Sequence, residues 1–366
     1  MRTYKIKEVG KVITGKTPST KNELFYNSKD NMFICPPDIK SVRYITNSEK
    51  YVSSLAFDSC KSIQIAKNSI LIDCIGADLG NVAISTNDSI TNQQINTITN
   101  INENIALPLY LYYFFSTKKA FFHLIGQNGS TMPIINKSMF ENIEINIHDM
   151  PLQQHIVNTI GSVDDLIENY NKQVAKLQEI GCKIIDMIND NNESNLMADI
   201  VKFEKGYEIG SKKYYSDLKE QSIHYIRVGD LLNISNTFVD KEDKLKYCNN
   251  NDILVAFDGA PGRNNIGLSG AYSSGIYKLV CDEKYKGLIY FEINSKMNQS
   301  IIKDHSQGTT ILHASKSINY LEYAVFDEND LYYFNSIFNQ IISLKNKIYL
   351  LNSIKENLLN KYFTNQ

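Results

Sequence analysis

Two short stretches place hydroxyls next to a glycine in a form suited to phosphate oxygens. Gly129-Ser130-Thr131 lies in GQNGSTMPIINKSMF (126–140), and Gly308-Thr309-Thr310 lies in SQGTTILHASKS (306–317). Such turns expose hydroxyls and backbone N–H groups to an anion. They can equally close on their own backbone as ST-turns or helix caps. Lys137 follows the first turn and Lys316 the second. Further candidate phosphate contacts in the first half are Lys16, Thr17, Ser19, Lys21, Lys40 and Arg43. In the second half they are Lys205, Lys212, Lys213, Arg227 and Arg263. Gln93, Gln94 and Asn264 carry the amide chemistry that reads adenine edges, although sheet-edge amides look the same in a sequence.

Signals for covalent chemistry are weak. The chain has no Walker loop and no G-x-S-x-G elbow, and its histidines do not fall near a plausible nucleophile. Cys35-Pro36-Pro37-Asp38 inverts the polar-Pro-Pro-aromatic order of amino-group methyltransferases. Gly262-Arg263-Asn264-Asn265 reads as a turn rather than a nucleotide loop. Cys35, Cys60, Cys74, Cys182, Cys248 and Cys281 form no C-x-x-C pair, so reduced buried thiols are expected, with no metal and no disulfide framework. The start, MRTYKIKEVGKVITG, lacks the apolar segment of a secretory signal, and no run of about 18 apolar residues suggests a membrane span. The cytoplasm is the expected location.

The elements that must position these residues announce themselves by charge and period. The net charge of −2 hides a segregated pattern. Residues 1–120 hold 14 Lys/Arg against 10 Asp/Glu, residues 138–199 hold 3 against 11, and residues 331–366 hold 4 against 1. Apolar residues recur with heptad spacing at Ile156, Ile160, Val163, Ile167, Tyr170, Val174 and Leu177, and again, past Gly181, at Ile184. A second seam runs through Ile337, Ile341, Leu344, Ile348, Leu351 and Leu358, broken by Lys355. Each predicts a helix of about 35–40 residues, or roughly 50–60 Å. A seam this narrow needs a partner helix, and an acidic helix and a basic one suit each other. A wider stripe would instead pack each helix on its own domain. Shorter helices are expected over 107–125 and 287–303, and an Asn-rich linker over 189–197.

The regions before the two long helices match each other. MFICPPDIK (32–40) aligns with HYIRVGDLL (224–232), both ending around an aspartate, Asp38 or Asp230. SILIDCIGADLGNVAI (69–84) echoes DILVAFDGAPGRNNIGL (252–268), and Gly15 corresponds to Gly206. With the hydroxyl turns, four features recur in one order, which indicates a tandem duplication. The expected fold class is α+β. A mixed α/β domain (1–150) is followed by a long helix (151–190), a second domain (191–329) and a second long helix (330–366). The helices are expected to pair as an antiparallel coiled coil, making a pseudo-twofold tandem repeat.

The pattern resembles the specificity subunit of type I restriction–modification enzymes. The carrying residues are Gly15-Lys16-Thr17-Pro18-Ser19, the run 33–39, Thr91-Asn92-Gln93-Gln94-Ile95, the Gly129-Ser130-Thr131 turn and Pro151-Leu152-Gln153-Gln154 opening the first long helix. The resemblance implies two target-recognition domains, each reading half of a bipartite double-stranded DNA sequence, with the helices as spacer. It implies a chain that is not itself an enzyme and needs no cofactor. It would dock two modification (methyltransferase) subunits, which use S-adenosylmethionine, and through them restriction subunits. The second half departs from the pattern, with Arg227-Val228-Gly229-Asp230 for the Pro-Pro-Asp run and Asn329-Asp330-Leu331 opening its helix. A coiled-coil interaction scaffold without a DNA role is the alternative reading.

Overall fold

A computed structural model describes residues 1–363 except 41, 128–131, 191, 233 and 309–311. The chain divides into two compact units, residues 1–165 with 353–366 and residues 166–352. The division falls within both long helices, Met150–Asn189 and Glu328–Phe363, rather than at their ends. Contacts in each unit explain this, since each holds the start of one long helix and the end of the other.

In the first unit, one sheet has the strand order Lys11–Thr14, Ile95–Thr99, Ile70–Asp73, Val82–Ser85 and Tyr44–Ile45. A second sheet runs Tyr51–Val52, Asn31–Ile34, Ser89–Thr91 and Gln64–Ile65. In the second unit, the corresponding sheets run Lys202–Lys205, Ile276–Val280, Ile253–Ala256, Asn264–Asn265, and Phe238–Asp240, Ser222–Ile226, Gly270–Tyr272, Tyr247–Cys248. The order is the same strand for strand, save for Tyr44–Ile45. Even the unusual parallel pairing recurs, with Phe33 opposite Ile90 and Tyr225 opposite Ala271. Strands that alternate between two packed sheets bury both faces, and Ile70–Asp73 and Ile253–Ala256 are buried throughout.

The predicted helices 107–125 and 287–303 are each two helices. Pro108–Ser116 gives way to Lys119–Gly126, and Lys286–Ile293 gives way to Lys296–Asp304. The second break has a local cause: the Ser295 side chain accepts the Asn298 N–H and starts a new helix. The expected linker is partly ordered as strand Ser194–Leu196, paired with Glu322–Ala324, and Met197 behind it is fully buried.

The two long helices run antiparallel within each unit. In the first unit, His155 meets Tyr362 (3.0 Å) and Asp164 meets Lys355 (2.7 Å). Ile156 and Ile160 enter the core there, with Leu358 packed against it. In the second unit, Lys347 lies over the Tyr170 ring at 5.6 Å, and Leu177 shares a groove with Leu344. Val174, Tyr170 and Leu177 join Ile337, Ile341, Leu344 and Ile348 in one apolar cluster. Val163, Ile167 and Leu351 are half-buried. Near the end of the first helix the buried position is Ile185, with Ile184 only half-buried. The second helix buries Phe334, Phe338 and Ile342 besides its seam, so its first half carries the wider stripe of a helix that also packs on its domain.

Candidate nucleic-acid interface

In both units part of the candidate set gathers where four strands end. In the first unit these are Lys11–Thr14, Asn31–Ile34, Ile70–Asp73 and Ser89–Thr91, and the loops leaving their C-terminal ends form one rim. Backbone bonds tie those loops together. Lys16 N donates to Thr91 O (2.9 Å), Cys74 N to Gln94 O (2.8 Å), and Gly76 N to Pro133 O (3.0 Å). The Thr17 hydroxyl meets Gln93 Oε1 at 2.9 Å, and Lys40 reaches Asp78 at 3.8 Å. Lys16, Thr17, Lys40, Gln93 and Gln94 therefore stand on one rim.

The second unit repeats this with different side chains. Tyr207 N donates to Tyr272 O (3.1 Å) as Lys16 N does to Thr91 O, and Gly259 N donates to Leu312 O (2.8 Å) as Gly76 N does to Pro133 O. Lys205 lies 3.9 Å from Asp258, and Arg263 donates to Val228 O (3.4 Å).

The close approach of two loops accounts for the glycines that open them. A Cβ on Gly15 would lie 2.1 Å from Asn92 O, and one on Gly206 would lie 2.2 Å from Ser273 O. Neither site can hold a side chain without moving backbone. Gly76 and Gly259 both have left-handed backbone (φ 85° and 79°), which turns the chain sharply at the rim.

The paired aspartates sit one turn into equivalent short helices. Asp38 accepts from Cys35 N (2.8 Å), the Ser48 hydroxyl (2.9 Å) and Glu49 N (2.9 Å). Asp230 accepts from Arg227 N (2.7 Å) and Ser235 N (2.9 Å). Each caps its helix and pins the following loop to it. The Cys35-Pro36-Pro37-Asp38 run is thus a capped turn, with proline where a first helical turn accepts it.

Two candidates leave the surface. Arg43 is buried, forms an ion pair with Asp165 (2.5 Å) and donates to the Tyr113 hydroxyl (3.4 Å). It joins the first domain to the long helix and is not available to phosphate. Asn264 is half-buried, and its amide exchanges hydrogen bonds with the Asn294 amide (2.9 and 3.2 Å), which takes up its reading edge.

The remaining cations are exposed but not drawn into the rim by these contacts. Lys137 pairs with Glu141 (3.4 Å) on its own helix, and Lys213 pairs with Glu242 (2.7 Å). Arg227 lies 3.7 Å from Asp230 and bonds the Ser235 hydroxyl (3.1 Å). Ser19, Lys21, Lys212 and Lys316 are exposed. Ser130, Thr131, Thr309 and Thr310 lie outside the described residues. Pro133 and Leu312, shortly after the two hydroxyl motifs in the sequence, do stand on the rims.

Several rim groups escaped sequence reasoning. Asp78, Asp258 and His313 are among them, although aligning the repeats position by position would have paired Asp258 with Ile75 and His313 with Ile134. Asp73, at the first rim, is buried with no normally formed hydrogen bond to either oxygen among the described residues. Burial, only partly offset by the Asn81 side chain, pushes its carboxyl up to about 7. Among the described residues no group of three or more His, Cys, Asp or Glu could hold a metal, and no helix is long and apolar enough to cross a membrane.

Comparison with known proteins gives four findings. Residues 1–179 match the family model of the type I restriction modification DNA specificity domain. The MjaIX type I restriction enzyme specificity subunit of Methanocaldococcus jannaschii is 29% identical over 70% of this chain, and the match spans 65% of that protein's length. The HindI specificity subunit of Haemophilus influenzae is 32% identical over 38% of this chain and 30% of its own. The crystal structure of the specificity subunit of a type I system from M. genitalium covers 99% of this chain and 96% of its own, with a TM-score of 0.59 at 15% identity. That likeness bears on the fold, and it extends over both units.

Proposed function

We propose that this chain, similar to type I specificity subunits in sequence and fold, is the DNA-recognition subunit of such a system. Each unit would read one half of a bipartite duplex target. The observation that carries this reading is the doubled rim. The backbone scaffold is kept strand for strand, while the side chains on the rim differ, as two readers of two sequences require.

The chemistry of the rim supports duplex DNA. Lys16, Thr17 and Lys40 in one unit, and Lys205 and Arg263 in the other, would take phosphate oxygens and set the register. Gln93, its oxygen engaged by Thr17, keeps its amide N–H groups for acceptors on a base edge. The nearby acids Asp78 and Asp258 temper the positive field, so affinity for DNA by the isolated chain is expected to be weak and salt-dependent.

The long helices would act as the spacer between half-sites. They would also offer the docking surface for two modification subunits, which supply S-adenosylmethionine and the methyl-transfer chemistry, and through them for restriction subunits. The chain itself does no covalent chemistry in this reading. The test is a gel-shift with the modification subunit present. Retention of one bipartite duplex over a scrambled one at physiological salt is expected. Equal retention of both, or none, overturns the reading and favours an interaction scaffold without a DNA role.

A further inference from the structure

The two rims are equivalent in backbone but not at one exposed pair. In the second unit Asp258 and His313 face each other as an antiparallel bridge, and in the first Ile75 and Ile134 do. The flanking bonds are conserved between the units. Ile135 N donates to Cys74 O (2.9 Å) and Ala314 N to Phe257 O (2.8 Å), on the far side of the pair from the Gly76 and Gly259 bonds. The fold accepts either pair, so it does not explain why one is apolar and the other polar.

The polar pair is built and accessible. His313 Nδ1 lies 2.7 Å from Asp258 Oδ1, with Lys205 on the other carboxylate oxygen at 3.9 Å. The His313 side chain remains 61% exposed. His313 also exchanges backbone bonds with Gln307 (2.8 and 3.0 Å), which fixes its place on the rim. A pair whose histidine is this exposed adds little to stability. A carboxylate only accepts hydrogen bonds, so Nδ1 carries the proton. In the neutral imidazole Nε2 is then an acceptor.

We propose that these are equivalent base-reading pairs, one polar and one apolar. This rests on the reading of the rims as DNA interfaces. His313, oriented by Asp258, accepts a hydrogen bond from an exocyclic amine, adenine N6 or cytosine N4, in the half-site of the second unit. Ile134, 43% exposed, packs instead on a thymine methyl in the half-site of the first.

The test uses the complex of the full chain with its modification subunit, methylating a library with both half-sites randomised. The chain is compared with Asp258→Ile/His313→Ile and with the milder H313Q. Wild type is expected to prefer A or C at one position of the second half-site. The double variant should lose about tenfold of that preference, the size of a modest base contact. H313Q, which retains an acceptor, should lose less. The first half-site and the gap should not change. An unchanged second half-site in both variants, or a change confined to the first, overturns the proposal while leaving the DNA reading intact. A wild-type complex with no bipartite preference overturns that reading itself.

Discussion

Lys355 interrupts an otherwise apolar seam, and the structure gives it a partner whose loss can be measured. Its amine lies 2.7 Å from Asp164, whose side chain is 7% exposed and also accepts the Tyr113 hydroxyl at 2.9 Å. Arg43 extends the cluster from Tyr113 to Asp165. Removing one partner of a buried pair costs about 3–5 kcal/mol, because the other charge stays buried without compensation. Here Tyr113 remains as a donor, and the lysine side chain is 24% exposed, so part of that cost is absent. Lys355→Met is therefore expected to cost about 2–3 kcal/mol. Asp164→Leu strands a lysine that can reach water but also leaves the buried Tyr113 hydroxyl without its acceptor, and should cost about 2 kcal/mol. The double variant, with an apolar pair of similar volume but the Tyr113 hydroxyl still without its acceptor, should cost about 1–2 kcal/mol, well short of the sum of the single costs. Urea unfolding of the four proteins gives the coupling energy directly. A Lys355→Met cost below about 0.5 kcal/mol, or single costs that simply add, would refute the argument. The cluster has a structural use besides stability, because one polar pair in an apolar seam penalises every slipped register.

Other expectations follow from the same geometry. Gly15→Ala and Gly206→Ala should each weaken reading of one half-site and lower stability, seen as a Tm drop with a defect confined to that half of the target. Burial raises the carboxyls of Asp73 and Glu292 to about 7 from ordinary values near 4, so the unfolded chain releases these protons first. Stability from these groups is complete below about pH 4 and declines as pH rises towards 7, and Asp73→Asn or Glu292→Gln should flatten that decline in unfolding experiments. Deleting one heptad from both long helices should alter the tolerated gap and leave both half-sites unchanged. A changed half-site at a constant gap would contradict the spacer role.

What the sequence made legible is what depends on local pattern. The heptad seams, the duplicated glycines and the aspartate pair are short-range signals, and each repeat corroborates the other. Long-range partners were not legible. Arg43 looks like any surface arginine until the fold brings Asp165 and Tyr113 beside it. Asn264 looks like a reader until Asn294 takes its amide. Lys355 breaks the period for a reason that lies on another helix. The run 287–303 splits because Ser295 caps a new helix, a signal smaller than the apolar run around it. The differing pair on the rims was also within reach of the sequence, but only through alignment of the repeats across loops of unequal length.

The most direct test exchanges one reader. Residues 197–327 would be replaced by the matching segment of a type I specificity subunit of known target, and the methylated sites of the hybrid complex mapped on random DNA. The account predicts a target with the first half-site retained and the second replaced by that of the donor. A hybrid that folds, assembles and methylates with both half-sites unchanged, or without any bipartite preference, would contradict it.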